Sequence, residues 1–236
     1  MATAELQETL LSLRNNDRTL TSFAFGASIA DDPIMTVGGV AFAEALKSNS
    51  TLTSLDLQFN SLGKDAGAAL AAALRSNSTL TFLDLGTNPL MDSSGVALAE
   101  ALRSNSTLTS LNLYEDSLGT VGGVALAEML KLNSTLLHLN LRCNSLGTIA
   151  GVALAEALKS NSTLTSLNLG SNSLGEGSGL ALAEALKSNS TITVLNIDDD
   201  IRQPGVTHDL ELDNKRGTWL TKMLGVSSEQ HAQRQA

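Results

Sequence analysis

At 236 residues, 42% hydrophobic but only 3% aromatic, the chain can fill one large or two small cores, and must do so with aliphatic side chains. Its net charge of −9 excludes the basic footprint from which nucleic-acid binding normally starts. A single cysteine, Cys143, excludes an internal disulfide and any CxxC-type zinc or redox motif.

The N-terminal stretch MATAELQETLLSLRNND has acids where a signal peptide needs bases, and it lacks a continuous apolar core. No stretch approaches membrane-spanning length, so a cytoplasmic protein without membrane contact is expected. Leu6, Leu10, Leu11 and Leu13 lie at helical spacing, which predicts an amphipathic helix over Ala4 to Leu13 suited to covering whatever follows.

From Thr19 onward one unit recurs. The tripeptide Asn-Ser-Thr ends at Thr51, Thr79, Thr107, Thr135, Thr163 and Thr191, each 28 residues after the last. Thr19 opens an earlier copy, carrying a four-residue insertion around Asp31 to Thr36 and using Phe23 and Phe25 in place of leucines. Each copy reads LxxLxLxxNxL, a Gly-rich turn, then a helical run such as GVALAEALKS. In the first part Leu139 and Leu141 point one way and His138, Asn140 and Arg142 the other, as in a strand. In the second, Leu154 and Leu158 share a helical face while Ala155 and Ala157 fill narrow gaps. Asn161, at the helix end, tolerates a left-handed conformation and is expected to turn the chain there.

One such unit cannot bury its leucines alone, so units stack. Strands in a ladder sit about 4.8 Å apart whereas helices are about 10 Å wide, so the helical side splays and the stack bends. The expected fold is α/β: a curved solenoid with a parallel β-sheet on the concave face and α-helices on the convex face. Its parts are an N-terminal helical cap at 1–18, seven repeats at 19–200, and a C-terminal cap with a polar tail at 201–236. Trp219 is expected to pack within that last cap.

The unit LxxLxLxxNxL with GxxxLxxxL resembles the leucine-rich repeats of the ribonuclease-inhibitor type. Similar repeats occur in innate-immune receptors, activators of the Ran GTPase and bacterial effectors. The resemblance implies a binding platform, and leaves the function open.

Several constellations invite chemistry and read better as architecture. Asn60, Asn88, Asn144 and Asn172 form a column, with Ser28, Asp116 and Asp200 as departures; buried amides there satisfy backbone groups at each turn. Asp56 and Asp84 neighbour each other in a column that continues as Asn112, Asn140, Asn168 and Asn196, without a nucleophile or histidine beside them. The Asn-Ser-Thr triplets match a glycosylation pattern but recur because the repeat does. Asp198, Asp199 and Asp200 lack the grammar of a calcium loop, and His138, His208 and His231 lack metal-binding spacing. Cys143 reads as a small filler. Neither a metal nor a cofactor is expected, and no catalytic residue is assigned.

What remains is a contrast. LTSLNLGSN (Leu164 to Asn172) keeps small residues between its fixed points, but LLHLNLRCN (Leu136 to Asn144) carries His138, Arg142 and Cys143. Across the outward strand positions most entries are small and polar; the large exceptions Phe82, Tyr114, Glu115, His138 and Arg142 fall on three consecutive strands. Phe59 extends them on one flank. Tyr114 and Arg142 share a column, where stacking at about 5 Å is natural. Aromatic residues and arginine are the types enriched at interface hot spots. The leading expectation is a non-enzymatic scaffold that binds a partner protein with some basic surface on its concave face. A GTPase-activating regulator is the alternative, because six of the 24 acids lie between Asp198 and Asp213 and Ran GTPase activators carry an acidic segment after their repeats. A structural assembly subunit is a third reading. Oligomeric state is not legible.

Overall fold

The computed structural model describes residues 2–25, 35–197 and 209–211, with side chains described for 6–25 and 35–197. Helix α1 (Ala2–Arg14) leads into β1 (Ser22–Ala24) and α2 (Met35–Leu46). Strand and helix then alternate as β2 (Ser54–Asp56), α3 (Gly63–Leu74), β3 (Phe82–Asp84), α4 (Met91–Leu102), β4 (Ser110–Asn112) and α5 (Gly119–Leu130). The series continues with β5 (His138–Asn140), α6 (Gly147–Ser160), β6 (Ser166–Asn168), α7 (Gly175–Ser188) and β7 (Val194–Asn196). The seven strands pair in parallel and in sequence order, each residue opposite the one 28 positions on from β2 to β7. An eighth strand, β8 (Asp209–Glu211), was not expected; it pairs antiparallel with β7 and covers that edge of the sheet.

The core runs the length of the solenoid and is aliphatic. In the second unit Leu52, Leu55, Leu57, Leu62, Leu70 and Leu74 are all buried, and the equivalent residues repeat this in the third to sixth units. Among the described residues, aromatic packing is confined to the N-terminal end, where Phe23 stacks with Phe25 and Phe42 at centroid distances of 6.3 and 5.3 Å. Helix α1 takes the place of a preceding unit: Leu13 is fully buried, and its carbonyl accepts from Asn49 Nδ2 at 2.9 Å as the Leu46 carbonyl accepts from Asn77.

The asparagine that ends each helix acts differently from the expectation. Asn161 and Asn189 are extended, with φ −73° and ψ 127° and 128°, not left-handed. The turn is made by the side chain: Asn161 Oδ1 accepts from the N–H groups of Thr163 and Leu164, while Nδ2 donates to the Leu130 and Asn133 carbonyls of the preceding unit. A residue that both accepts within its own loop and donates across to the neighbour needs an amide, whatever its backbone prefers.

Left-handed backbone occurs instead in the turn after each of the strands β2 to β6. Phe59, Thr87, Glu115, Cys143 and Ser171 all have φ between 57° and 60°. Because five unrelated side chains share this conformation, it belongs to the repeat and not to any one site. Ser28, Asp31, Asp198 to Asp200, His208, Trp219 and His231, to which the sequence reading assigned roles, lie outside the described residues. So does the acidic stretch to Asp213, apart from β8.

Candidate binding surface

Each strand is only three residues long, and that decides where the singled-out side chains sit. Phe82 opens β3 and His138 opens β5, both exposed, with Ser110 of β4 between them in register. Two ladder spacings, about 10 Å, therefore separate Phe82 from His138. Tyr114, Glu115, Arg142 and Phe59 do not lie on strands, as expected from sequence, but in the turns immediately after them. The strand ends early because the Asp/Asn column bends the chain: Asn112 Oδ1 accepts from Tyr114 N–H, and Asn140 Oδ1 from Arg142 N–H, each at 3.1 Å. Asp56 and Asp84 make the same turn with Gln58 and Gly86. These carboxylates thus hold backbone, as their column suggested. Asp84 also accepts from Asn112 Nδ2 at 2.9 Å, and burial, with a smaller push from Asp56, raises its carboxyl above the usual range.

The turns nevertheless stack. Phe59 N–H donates to the Gly86 carbonyl, Thr87 to Tyr114, Glu115 to Arg142, and Cys143 to Gly170, all between 2.6 and 3.0 Å. This extension of the ladder past the strand ends brings Tyr114 and Arg142 into adjacent turns. Glycine flanks the pair on both sides: a Cβ on Gly86 would meet Tyr114 Cβ at 3.5 Å, and one on Gly170 would meet an Arg142 guanidinium nitrogen at 3.2 Å. The two long side chains occupy room that the neighbouring units leave open. The Tyr114 hydroxyl turns toward Glu115 and Cys143; the Glu115 carboxylate first, then Cys143, hold its phenol above the ordinary tyrosine value. Phe59 is 48% exposed and is separated from Glu115 in its column by Thr87.

Two exposed apolar residues, one at the end of the fourth unit and one in the fifth, were missed. Leu132 replaces the serine found at Ser104 and Ser160, and is 64% exposed. Leu137 replaces threonine in the row Thr81, Thr109, Thr165, and is 38% exposed beside His138. Elsewhere in that row the hydroxyl donates to the preceding unit's carbonyl, as Thr109 does to Thr81 at 3.0 Å, which Leu137 cannot do. Reading every column copy by copy, instead of only the outward strand positions, finds both. Among the described residues no group of three or more His, Cys, Asp or Glu side chains is arranged to hold a metal ion, and no helix is long and apolar enough to cross a membrane.

A repeated strand-and-helix unit with this leucine core and asparagine ladder defines a leucine-rich-repeat protein, and comparison agrees. The family model for the leucine-rich repeat matches residues 48–71, 76–99, 132–155 and 160–183. The chain belongs to the leucine-rich-repeat proteins, with units of the ribonuclease-inhibitor type. It is 30% identical to a solved segment of leiomodin-1 described as actin-binding site 2, over 56% of this chain and 76% of that one, with a TM-score of 0.51. It is similar in fold to a chain of the yeast Rad7–Elc1 complex, 18% identical over 85% of this chain and 55% of that one, TM-score 0.53. The tropomodulin C-terminal domain of Caenorhabditis elegans is 16% identical over 78% of this chain and 92% of that one, TM-score 0.49. No curated protein matches the chain.

Proposed function

We propose that the chain is a non-enzymatic scaffold that binds a partner protein on the concave sheet and the turns bordering it, through Phe82, Tyr114, Glu115, His138 and Arg142, with Phe59 on the flank. The observation that carries this reading is the departure of the third to fifth units from their own template: where the sixth unit presents Ser166, Gly170 and Ser171, these present large, partly exposed side chains, against isolated departures at Gln58, Phe59 and Val194 elsewhere. Leu132 and Leu137 extend the same bias across the boundary of the fourth and fifth units. Affinity would come from preorganisation, because the asparagine ladder holds each turn before a partner arrives. The acidic balance favours a partner with basic surface, and salt should slow its association. Similarity to a segment described as an actin-binding site supports a protein ligand and makes actin the first purified candidate to test.

The test is capture of a partner by the intact chain and by two variants. Tyr114→Ala combined with Arg142→Ala should abolish capture, while Ser166→Ala, in the small-residue part of the same face, should leave it intact. Equal losses would remove the concave site. Assay of the chain against a panel of GTPases addresses the alternative reading, and stimulated GTP hydrolysis would overturn the non-enzymatic one.

A further inference from the structure

Among the described residues, two buried side-chain polar atoms have no hydrogen-bond partner: Thr87 Oγ1 and Asp116 Oδ2. Both lie where the third unit meets the fourth. Asp116 Oδ1 accepts from Asn88 N–H at 2.7 Å, and Thr87 N–H donates to the Tyr114 carbonyl at 2.6 Å. Asp116 occupies the asparagine column, and the copies on either side show what that slot requires. Asn88 Nδ2 donates to the carbonyls of Leu57, Leu85 and Gly86 at 3.0, 2.6 and 3.3 Å. Asn144 Nδ2 donates to those of Leu113, Leu141 and Arg142 at 2.6, 3.0 and 3.2 Å. In Asp116 the oxygen Oδ1 keeps one of the two bonds that an amide oxygen accepts in this column, that from Asn88 N–H, while Leu90 N–H donates to the Asn88 carbonyl at 2.7 Å. By the 28-residue register, Oδ2 replaces the donor and faces the carbonyls of Leu85, Leu113 and Tyr114. An oxygen that only accepts has nothing to offer three acceptors, and burial removes the water that would otherwise serve it.

We propose that Asp116 carries its proton in the folded chain, so that its carboxylic acid imitates the ladder amide, and that ionisation unlocks the junction between the third and fourth units. One proton on Oδ2 turns the orphaned acceptor into a donor toward carbonyls already positioned to receive it. The titratable and charged groups on the adjoining turns are Asp84 from the preceding unit, Tyr114 and Glu115 from its own, and Arg142 and Cys143 from the next. Those that act on it electrostatically, Asp84 and Glu115, are both acids. Burial is the main cause that lifts its carboxyl to about 9, the two acids add to it, and the Asn88 N–H opposes it.

A carboxyl raised in the fold stabilises fully below its unfolded value, near 4, and progressively less as pH rises toward the folded value. Asp116→Asn restores the template residue and should fold. Chemical denaturation of both proteins from pH 4 to pH 9 should give similar stabilities at the acid end. The folding constant of the natural chain should then fall behind by up to about tenfold per pH unit. Infrared spectra at neutral pH should show the carbonyl band of a protonated carboxylic acid that Asp116→Asn removes. Parallel stability profiles, or the absence of that band, would overturn the proposal. Neither readout depends on a partner, so the proposal and the binding reading fail separately.

Discussion

Asn144 shows how much of this molecule rests on single side chains. Its Oδ1 accepts from the N–H groups of Asp116 and Leu118, and its Nδ2 donates to three carbonyls, so one buried amide serves five backbone groups of two units. Alanine at this position would strand those groups away from water. Leaving buried backbone polar groups unpaired costs about 1–3 kcal/mol each, partly relieved by relaxation, so Asn144→Ala should destabilise the chain by about 2–4 kcal/mol in urea unfolding. An unchanged midpoint would show that the column is dispensable. The same reasoning explains why Asp56 and Asp84 are poor candidates for chemistry: each closes its own turn through Oδ1.

At the scale of elements, the helices must come close enough to follow a sheet whose strands are far narrower than they are. They do so along a seam of small residues. On α4 a Cβ at Gly95 would stand 2.9 Å from the Gly122 Cα of α5, a backbone atom that cannot rotate aside. Gly95→Ala should therefore cost about 1–3 kcal/mol by overpacking. Gly177 of α7 is the control: its added Cβ meets only Thr148 Cγ2 at 3.4 Å, and alanine there should stabilise by about 0.5–1 kcal/mol through helix propensity. Stabilisation of both variants in thermal melts, as helix propensity alone would give, would show that close helix approach is not what the seam provides. Ion pairs contribute little beside this. The Glu44–Lys47, Glu128–Lys131 and Glu156–Lys159 pairs are each three residues apart and exposed at the C-terminal ends of helices.

For the whole molecule the consequence is modularity. Each unit touches only its neighbours, so stability is close to a sum of unit and interface contributions. Removing residues 133–160 joins Leu132 to Asn161 in the same phase of the repeat. The shortened chain should remain folded by circular dichroism, with Asn172 supplying the rung that Asn144 supplied. It should lose His138 and Arg142, and with them partner capture if the concave face binds as proposed. A deletion of half that length shifts leucines out of phase and should not fold. Survival of both deletions, or of neither, would contradict a solenoid built from interchangeable units.

Most of the architecture could be read from one chain. The 28-residue recurrence of Asn-Ser-Thr and the alternation around Leu139 and Leu141 are local patterns, and local spacing dictates which side chains share a face. The candidate surface was legible only by residue type. Phe82 and Tyr114 stood out, but their placement on strand and turn did not, because strand length is set by where the Asp/Asn column bends the backbone. Leu132 and Leu137 were equally visible and lay outside the positions compared.

Periodicity in one chain was sufficient for the solenoid, its aliphatic core and the columns that run along it. It could not assign the partners of atoms whose contacts lie in the next unit. That Asn161 works through its amide in an extended backbone, and that Asp116 Oδ2 faces a slot built for a donor, depend on carbonyls of a neighbouring coil. Hydrogen bonding of that kind is fixed by stacking, and stacking is a property of the assembled coils.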